Sequence, residues 1–184
     1  MNNDSEIQTI LGTDKTILDF WKWGFSDVLT NSLRGIFAEF LVGSAIGAVN
    51  QPRIEWDSYD LTLGDKKIEI KSSAFVQSWH TEESKPSAIS FDIGLKKEYD
   101  YSTNKYSDEL KRSADLYVFC LLNKKNHGKV NPLDTNQWKF YVVATKDLNQ
   151  HFPNQKKVGL NPLRKIAQSI SYNELKNAVN ELEI

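Results

Sequence analysis

Two β-strands and the turn between them are encoded in one stretch, Tyr59-Asp60-Leu61-Thr62-Leu63-Gly64-Asp65-Lys66-Lys67-Ile68-Glu69-Ile70-Lys71. Apolar and polar residues alternate along it with a period of two, which is typical of strands that bury one face. Glycine at the first position of Gly64-Asp65 tolerates the positive φ of a two-residue hairpin loop. The stretch therefore predicts an antiparallel hairpin whose apolar face consists of Tyr59, Leu61, Leu63, Ile68 and Ile70.

The two-residue loop also determines which residues of the hairpin oppose each other. Leu63 then opposes Lys66, and Asp60 falls directly opposite Glu69. Two carboxylates that face each other across paired strands repel unless a cation lies between them. A hard divalent cation would relieve that repulsion, because such ions prefer oxygen ligands. Lys71 lies on the same polar face, one pleat beyond Glu69.

A triplet of acid, any residue and lysine is weak evidence by itself, because a chain of average composition holds about one by chance. This sequence has four more, beginning at Asp65, Glu83, Glu109 and Glu174. Only Glu69-Ile70-Lys71 lies in an alternating strand with an aspartate placed opposite. The alternative interpretation is an amphipathic hairpin with a solvated charged face.

The pattern resembles the core motif of the PD-(D/E)xK nuclease superfamily, whose members share the restriction-endonuclease-like fold. It consists of Asp60, a short gap and then Glu69-Ile70-Lys71. Many members add a glutamate from a preceding helix and a glutamine shortly after the lysine. Glu39 and Gln77 match those two positions. The resemblance covers about residues 30 to 80, and Tyr59 stands where the family name has a proline.

The resemblance implies a Mg²⁺-dependent endonuclease, a hydrolase that cuts phosphodiester bonds, with DNA rather than RNA as its partner. In that family the two carboxylates bind the metal and the lysine assists the attacking water. Asp60, Glu69 and the carbonyl of Ile70 would hold the ion here, with Glu39 acting directly or through a water. Mn²⁺ would substitute for Mg²⁺, and whether one or two ions bind is left open.

The same resemblance assigns roles to two further side chains and implies a fold. Lys71 would orient or deprotonate the attacking water and stabilise negative charge on the scissile phosphate. Gln77 would orient the substrate or Lys71. The implied fold is α/β, a three-layer sandwich in which helices flank a mixed central β-sheet. Sequence-specific cutters often act as dimers, so a homodimer is compatible with this interpretation.

The composition is that of an ordinary globular domain. Of the 184 residues, 40% are hydrophobic and 26% are charged, which predicts one domain over residues 1–184. The formal net charge of −1 gives no overall attraction to nucleic acid, so any basic surface must be local. The sequence lacks a secretory signal pattern and a membrane-spanning apolar run, which predicts a cytoplasmic location and no membrane partner.

Helical and strand patterns follow one another along the rest of the chain. Thr13 is predicted to cap a first helix through about Gly24, with Ile17, Leu18, Phe20 and Trp21 as its apolar face. Apolar positions at helical spacing predict a second helix over about 31–48. Strands are predicted at about 53–57, 59–63, 67–74, 89–93, 115–122 and 138–145.

Further local patterns predict the remaining elements. A helical segment is expected at about 107–112, and Thr145 is expected to cap a short helix through Phe152. Ser171 and Glu174 have the spacing of a capping box for the last helix. Cys120, the single cysteine, lies in an apolar run and is predicted to pack as a small buried residue.

Two other function classes stay open on the sequence. The fold could serve as a non-catalytic module that binds nucleic acid or protein, or the chain could be structural or regulatory. The aromatic residues that could stack on bases are Trp56, Trp79, Tyr99, Tyr101 and Tyr106, although such residues more often belong to a core. Asp57 competes with Asp60 as a ligand only if a bulge turns its side chain to the same face.

Overall fold

A computed structural model of the chain describes residues 8–53, 58–100 and 103–184. Its α-helices are α1 Ile17–Phe25, α2 Asn31–Ile46, α3 Thr145–His151, α4 Leu160–Leu163 and α5 Leu175–Glu181. Its strands are β1 Leu61–Leu63, β2 Lys66–Ala74, β3 Ser90–Asp92, β4 Lys96–Asp100, β5 Lys105–Lys111, β6 Leu116–Leu122, β7 Trp138–Ala144 and β8 Lys157–Gly159. The predicted strand at 53–57 lies outside the described residues except for Arg53, as do Trp56, Asp57 and Tyr101.

Four strands form a mixed sheet in the order β1-β2-β6-β7. β1 and β2 are antiparallel, β2 and β6 are parallel, and β6 and β7 are antiparallel. Every residue of β6, including Cys120, is buried, because both faces of this central strand are covered. Two smaller sheets pair β3 with β8 and β4 with β5. The chain is therefore a mixed α/β protein, as its sequence predicts.

Two hydrophobic clusters cover the two faces of the four-stranded sheet. On the first face, Ile70 packs with Val42 of α2 and Val179 of α5. On the second face, the sheet packs against β3, β8, α3 and α4 in a cluster that includes Phe91, Tyr117, Phe119, Leu148, Val158 and Leu163. Side chains alternate along a strand, so Glu69 and Lys71 lie on the second face.

The predicted hairpin of β1 and β2 is confirmed in its turn and in its register from Leu61 to Ile68. Gly64 has a φ of 58°, a left-handed value that glycine adopts at little cost. Leu63 pairs with Lys66, and Thr62 pairs with Lys67, as a two-residue loop requires. The apolar face of these strands is therefore turned toward α2.

The hairpin departs from regular pairing at Asp60. Leu61 is paired with Ile68, and the Asp60 N–H also donates to the Ile68 carbonyl at 2.9 Å. Two consecutive residues thus oppose a single one, which is the geometry of a β-bulge. The bulge reverses the alternation before Leu61, and Tyr59 consequently packs against the second cluster. The prediction that Tyr59 shares an apolar face with Leu61 is wrong for this reason, and so is the prediction that Asp60 lies directly opposite Glu69.

The turn of the hairpin is tied to the carboxyl end of α5. Lys66 Nζ donates to the carbonyls of Val179, Asn180 and Leu182 at 3.0, 3.1 and 2.9 Å. The last carbonyls of a helix lack intrahelical donors and carry partial negative charge, so an ammonium group suits them. Lys66 therefore joins two elements that are far apart in the sequence.

The second predicted helix is confirmed as α2, which packs closely on the start of β1. A Cβ atom at Gly43 would lie 2.6 Å from Val49 Cγ1 and 3.2 Å from Leu61 Cδ1. Those distances are shorter than normal contacts between carbon atoms. Glycine at position 43 therefore permits the short separation between α2 and Leu61, the first residue of β1.

The first helix begins later than predicted, because Thr16 rather than Thr13 caps it. Thr16 Oγ1 accepts from the Asp19 N–H at 3.2 Å, and the Asp19 side chain accepts in return from the Thr16 N–H at 2.8 Å. This reciprocal pair is a capping box, a pattern that Thr13 lacks. Thr13 instead donates to the Ile10 carbonyl at 2.9 Å. None of the nine residues of α1, all of them described, is buried, so its predicted apolar face stays outside the core.

Three further local predictions have different outcomes. Residues 105–111 form β5 rather than a helix. Thr145 begins α3, but its hydroxyl donates to the Ala114 carbonyl at 2.6 Å and does not cap the helix. The capping box of Ser171 and Glu174 is confirmed, with the Ser171 N–H donating to Glu174 Oε2 at 2.7 Å. Within the described ranges, none of the helices combines the length and the apolar character needed to traverse a bilayer.

Candidate active site

A cavity of about 530 Å³ opens between β2 and the hairpin of β4 and β5. Its lining includes Asp60, Glu69 and Lys71, the three residues of the predicted motif. The hairpin contributes Lys96, Lys97, Tyr99 and Tyr106. The three residues of the predicted motif therefore line one cavity, and their role as a site stays a prediction.

Asp60 reaches the cavity from the bulge that precedes β1. Its Oδ2 accepts a hydrogen bond from the Ile70 N–H at 2.6 Å. The carboxylate therefore occupies the place along β2 where the backbone of a longer β1 would have paired. Burial and the negative charge of Glu69 raise the pKa of Asp60 to about 7; the Ile70 hydrogen bond opposes this and Glu39 adds to it. An added cation would favour the ionised form of Asp60.

Glu69 is buried and has two cationic neighbours. Only 8% of its surface is exposed. Lys71 Nζ forms an ion pair with Glu69 Oε1, and Lys96 Nζ lies 3.8 Å from the same oxygen. Desolvation of a carboxylate is costly unless opposite charges accompany it. Lys71 and Lys96 therefore help to hold Glu69 inside the protein.

Lys71 is surrounded by acidic groups. Burial lowers the pKa of its ammonium group, but Glu69, Asp60 and Asp92 outweigh burial, so the pKa of Lys71 is raised overall. The side chain consequently carries its proton at neutral pH. A general base must be unprotonated. A cation bound beside Asp60 and Glu69 would lower the pKa of Lys71, so the choice between orienting and deprotonating the water stays a prediction.

The neighbouring strand β6 supplies an aromatic wall beside the acidic pair. Glu69 is the ladder partner of Tyr117, and Lys71 is the partner of Phe119. Phe119 is fully buried and meets Phe91 edge to face, with ring centroids 5.1 Å apart. Burial, followed by the charge of Glu69, raises the pKa of Tyr117 far above its ordinary value. These rings exclude water from one side of the site and strengthen its electrostatic interactions.

Glu39 lies beside the site but is engaged by another residue. Its side chain is 12% exposed and is held by the guanidinium of Arg53, with Arg53 Nη2 donating to Glu39 Oε1 at 3.1 Å. Together with Leu61 it lines a second cavity of about 290 Å³. Its charge still contributes to the raised pKa of Asp60. Glu39 therefore approaches Asp60 from the first face of the sheet, whereas Glu69 lies on the second.

Gln77 lies beyond the end of β2, outside the described lining of the cavity. Its Nε2 donates to the Ala74 carbonyl at 2.8 Å, and its Oε1 accepts from Arg34 Nη1 at 3.1 Å. Arg34 is buried and also donates to the Leu29 carbonyl and the Asn31 side chain. Gln77 therefore holds a buried arginine of α2, and the structure does not bring it to the site.

Lys96 and Lys97 are site residues that the sequence did not identify. Their signal in the sequence is a pair of adjacent basic residues. Equivalent pairs occur at 66–67, 111–112, 124–125, 156–157 and 164–165. Composition gives no reason to prefer one of these pairs. Only the folding of the β4–β5 hairpin over Glu69 selects positions 96 and 97.

The oxygen donors at this site suit a Mg²⁺ ion bound through few protein ligands. Mg²⁺ usually keeps several waters and takes one or two carboxylates from the protein, which Asp60 and Glu69 can provide. The Ile70 carbonyl points to the same strand edge as its N–H, toward Asp60. Across residues 8–53, 58–100 and 103–184, no cluster of three or more His, Cys, Asp or Glu is arranged to hold a metal. Asp60 and Glu69 line the cavity, whereas Glu39 is not among its described lining residues.

We expect Asp60→Asn to stabilise the metal-free protein more at neutral than at acidic pH. The pKa of Asp60 when folded, about 7, lies above its ordinary value of 3.8. Between these values the folded state keeps a proton that the unfolded state has lost. The contribution of Asp60 to the stability of the wild type therefore falls as pH rises, with a limiting slope of about 1.4 kcal/mol per pH unit. The asparagine oxygen can still accept from the Ile70 N–H, and urea unfolding in EDTA across that pH range measures the difference.

Asp134→Asn is a control with the opposite sign. Asp134 accepts from the Asn136 N–H at 3.0 Å, and this hydrogen bond lowers the pKa of Asp134. The stability that ionised Asp134 contributes is present above its ordinary pKa and is lost as pH falls. Asp134→Asn should therefore be less stable than the wild type at neutral pH and as stable as the wild type in acid. An Asp60→Asn difference that stays constant with pH would contradict the raised pKa of Asp60.

The assignment of this site rests on its residues and their geometry. No protein-family model matches the chain, and no curated protein matches it. Two carboxylates and a lysine line a cavity that is open to solvent, and the aromatic residues of β6 pack beside Glu69 and Lys71 on the neighbouring strand. Such a set can bind a hard cation and stabilise an anionic group beside it.

Proposed function

We propose that this chain is a Mg²⁺-dependent nuclease that hydrolyses phosphodiester bonds in nucleic acid, with DNA as the first choice, on a restriction-endonuclease-like sandwich. The observation that carries the proposal is the convergence of Asp60, Glu69 and Lys71 on one cavity. Paired carboxylates and a lysine are the groups that metal-assisted hydrolysis of a phosphodiester needs. The order of these residues in the sequence matches the motif that the family resemblance implies.

Each side chain has a separate role in this proposal. Asp60 and Glu69 would hold the ion, with the Ile70 carbonyl beside them. A bound Mg²⁺ supplies Lewis acidity and lowers the pKa of a water molecule. Lys71 orients the attacking water and places its positive charge next to the scissile phosphate. Lys96, whose side chain is 62% exposed, is placed to contact the phosphate from the solvent side.

The second candidate function is a non-catalytic module that binds nucleic acid or protein. The observation that favours it is the ion pair of Lys71 with Glu69, with Lys96 Nζ 3.8 Å from the same oxygen. These two ammonium groups neutralise much of the acidic charge without a metal. The two candidates differ in one measurable property, since only the nuclease requires a divalent ion at Asp60 and Glu69.

We expect Lys71→Met to separate binding of the ion from cleavage. The substitution keeps the aliphatic stem and removes the ammonium that pairs with Glu69, so Mg²⁺ binding should persist or become tighter. Cleavage should slow by roughly 10²–10³-fold, as when one preorganised electrostatic group is lost. Calorimetric titration with Mg²⁺ and nicking of supercoiled plasmid, both on the wild type and the variant, measure the two effects.

Lys67→Met is the matched control, because Lys67 lies on the same strand and its ammonium contacts the Tyr59 ring at 5.3 Å. It lies outside the described lining of the cavity, so both properties should stay at the wild-type level. Wild-type protein that binds no divalent ion at millimolar concentration and cleaves neither DNA nor RNA would exclude the nuclease and favour the binding module.

A further inference from the structure

The hairpin of β4 and β5 stands apart from the four-stranded sheet and forms one wall of the cavity. Tyr99 pairs with Tyr106 across the two strands, whereas Lys97 pairs with Leu110. One residue of β4 therefore faces three of β5, a larger irregularity than the usual two-to-one bulge. The Glu98 N–H is satisfied there by the Ser107 hydroxyl at 2.9 Å. The hairpin thus keeps a defined shape although most of it is exposed.

Tyr106 presents an unusually accessible ring at this wall. It is 66% exposed, yet it lines the same cavity as Asp60 and Glu69. Tyr99 supports it edge to face, with ring centroids 5.1 Å apart and an interplanar angle of 61°. The Tyr99 hydroxyl donates to Asn104 Oδ1 at 3.1 Å, which orients the supporting ring. An exposed aromatic ring that is supported from one side is a platform for stacking.

The charges around the ring suit a single nucleic-acid strand. Lys96 and Lys97 flank the cavity on the hairpin side, and Lys71 lies at its floor. Glu98, an acid of the same wall, is already paired with Lys111 at 2.7 Å. A cavity of about 530 Å³ is in the size range that encloses one small ligand, about 300–1,000 Å³. A single nucleotide therefore fits this space.

We propose that Tyr106 stacks on an unpaired base next to the bond that is cut, so the substrate is single-stranded DNA or a DNA junction with unpaired bases. This inference rests on the proposed nuclease function. A base inside a duplex has both faces covered by its neighbours, so Tyr106 can reach only a base that has left the stack. The stack would place the adjoining phosphate over Lys71 and Lys96.

The test is binding of a fluorescein-labelled oligothymidylate to the whole chain, followed by fluorescence anisotropy. Ca²⁺ replaces Mg²⁺ in the assay, because it takes the same oxygen ligands. Tyr106→Leu should weaken binding roughly 5- to 100-fold, the loss expected for one base–aromatic stack. Tyr106→Phe should bind like the wild type, because it keeps the ring. A blunt duplex of the same length should bind equally to all three proteins.

Trp79→Leu is the matched control, since Trp79 is exposed to a similar extent, 69%, but lies outside the described lining of the cavity. It should leave oligothymidylate binding unchanged. Tyr106→Leu protein that binds the single strand as tightly as wild type would overturn the inference, as would equal loss of single-strand and duplex binding. Plasmid nicking that depends on Glu69 would then leave the proposed function standing. Tyr106-dependent binding without any cleavage would instead contradict the nuclease proposal and leave only the stacking of Tyr106 on an unpaired base.

Discussion

Glu69→Gln should abolish phosphodiester cleavage while the protein stays folded. Glutamine has nearly the same shape, but it removes a carboxylate ligand and the partner of the Lys71 ammonium. We expect the cleavage rate to fall by at least about 10²–10³-fold, the effect of losing one preorganised electrostatic group, and Mg²⁺ binding to weaken. Lost attraction to Lys71 is offset by relief of repulsion with Asp60, so stability should change by less than about 1 kcal/mol. Plasmid nicking, Mg²⁺ calorimetry and urea unfolding measure these three quantities.

Glu83→Gln is the control for this experiment. Glu83 heads another triplet of acid, any residue and lysine, but it is exposed in a segment between strands. Its substitution should change neither cleavage nor Mg²⁺ binding. A Glu69→Gln protein that still cleaves plasmid at the wild-type rate would show that the chemistry occurs elsewhere in the molecule.

Phe119→Ala should give the largest loss of stability among these variants. Phe119 is fully buried in the central strand, between the Phe91 ring at 5.1 Å and the Tyr117 ring at 5.8 Å. Removing such a ring costs the transfer free energy of its carbons and leaves a cavity. We expect the free energy of unfolding to fall by about 3–5 kcal/mol, which urea denaturation measures. Because Phe119 is the ladder partner of Lys71, cleavage should also fall where the variant remains folded.

Phe40→Ala makes the same chemical change at the surface. Phe40 is 55% exposed on α2, so its removal should cost less than about 1 kcal/mol. Similar losses for Phe119→Ala and Phe40→Ala would contradict the placement of Phe119 in a closely packed core.

The motif hairpin could be predicted because three independent constraints agree on it. The alternation of Leu61, Leu63, Ile68 and Ile70, the glycine in the loop and the two-residue length of that loop each require the same register, and the structure has Leu63 opposite Lys66. The central strand was equally predictable, since an uninterrupted apolar run can only be buried on both faces. These elements depend on residues that are neighbours in the sequence or in one hairpin.

The bulge at Asp60 could not be predicted, because no turn residue or glycine marks it. It arises from the way the Asp60 side chain replaces backbone pairing at Ile70. The bulge turns Tyr59 to the second face and places the Asp60 carboxylate at the strand edge. A regular alternation places Asp60 directly opposite Glu69, whereas in the structure Asp60 opposes Ile68 together with Leu61, and its side chain reaches the cavity from the bulge.

The β4–β5 hairpin was mistaken in part for a helix because it has no core to face. A strand that is solvated on both sides needs no apolar alternation, and the pattern on which strand prediction depends is missing. Glu39 shows a different limit. Its position in α2 is predictable, but its ion pair with Arg53 depends on a residue outside the helix.

Lys66 links the stability of the motif hairpin to that of a distant helix. It lies 113 residues before Val179, and its ammonium satisfies carbonyls that would otherwise lack donors at the end of α5. Fraying of either element would break all three hydrogen bonds of the Lys66 ammonium, and their net stabilisation of both elements would be lost. The hairpin and α5 are therefore expected to open and close as one cooperative unit. While α5 stays folded and bound to Lys66, the hairpin next to Asp60 is expected to keep its conformation.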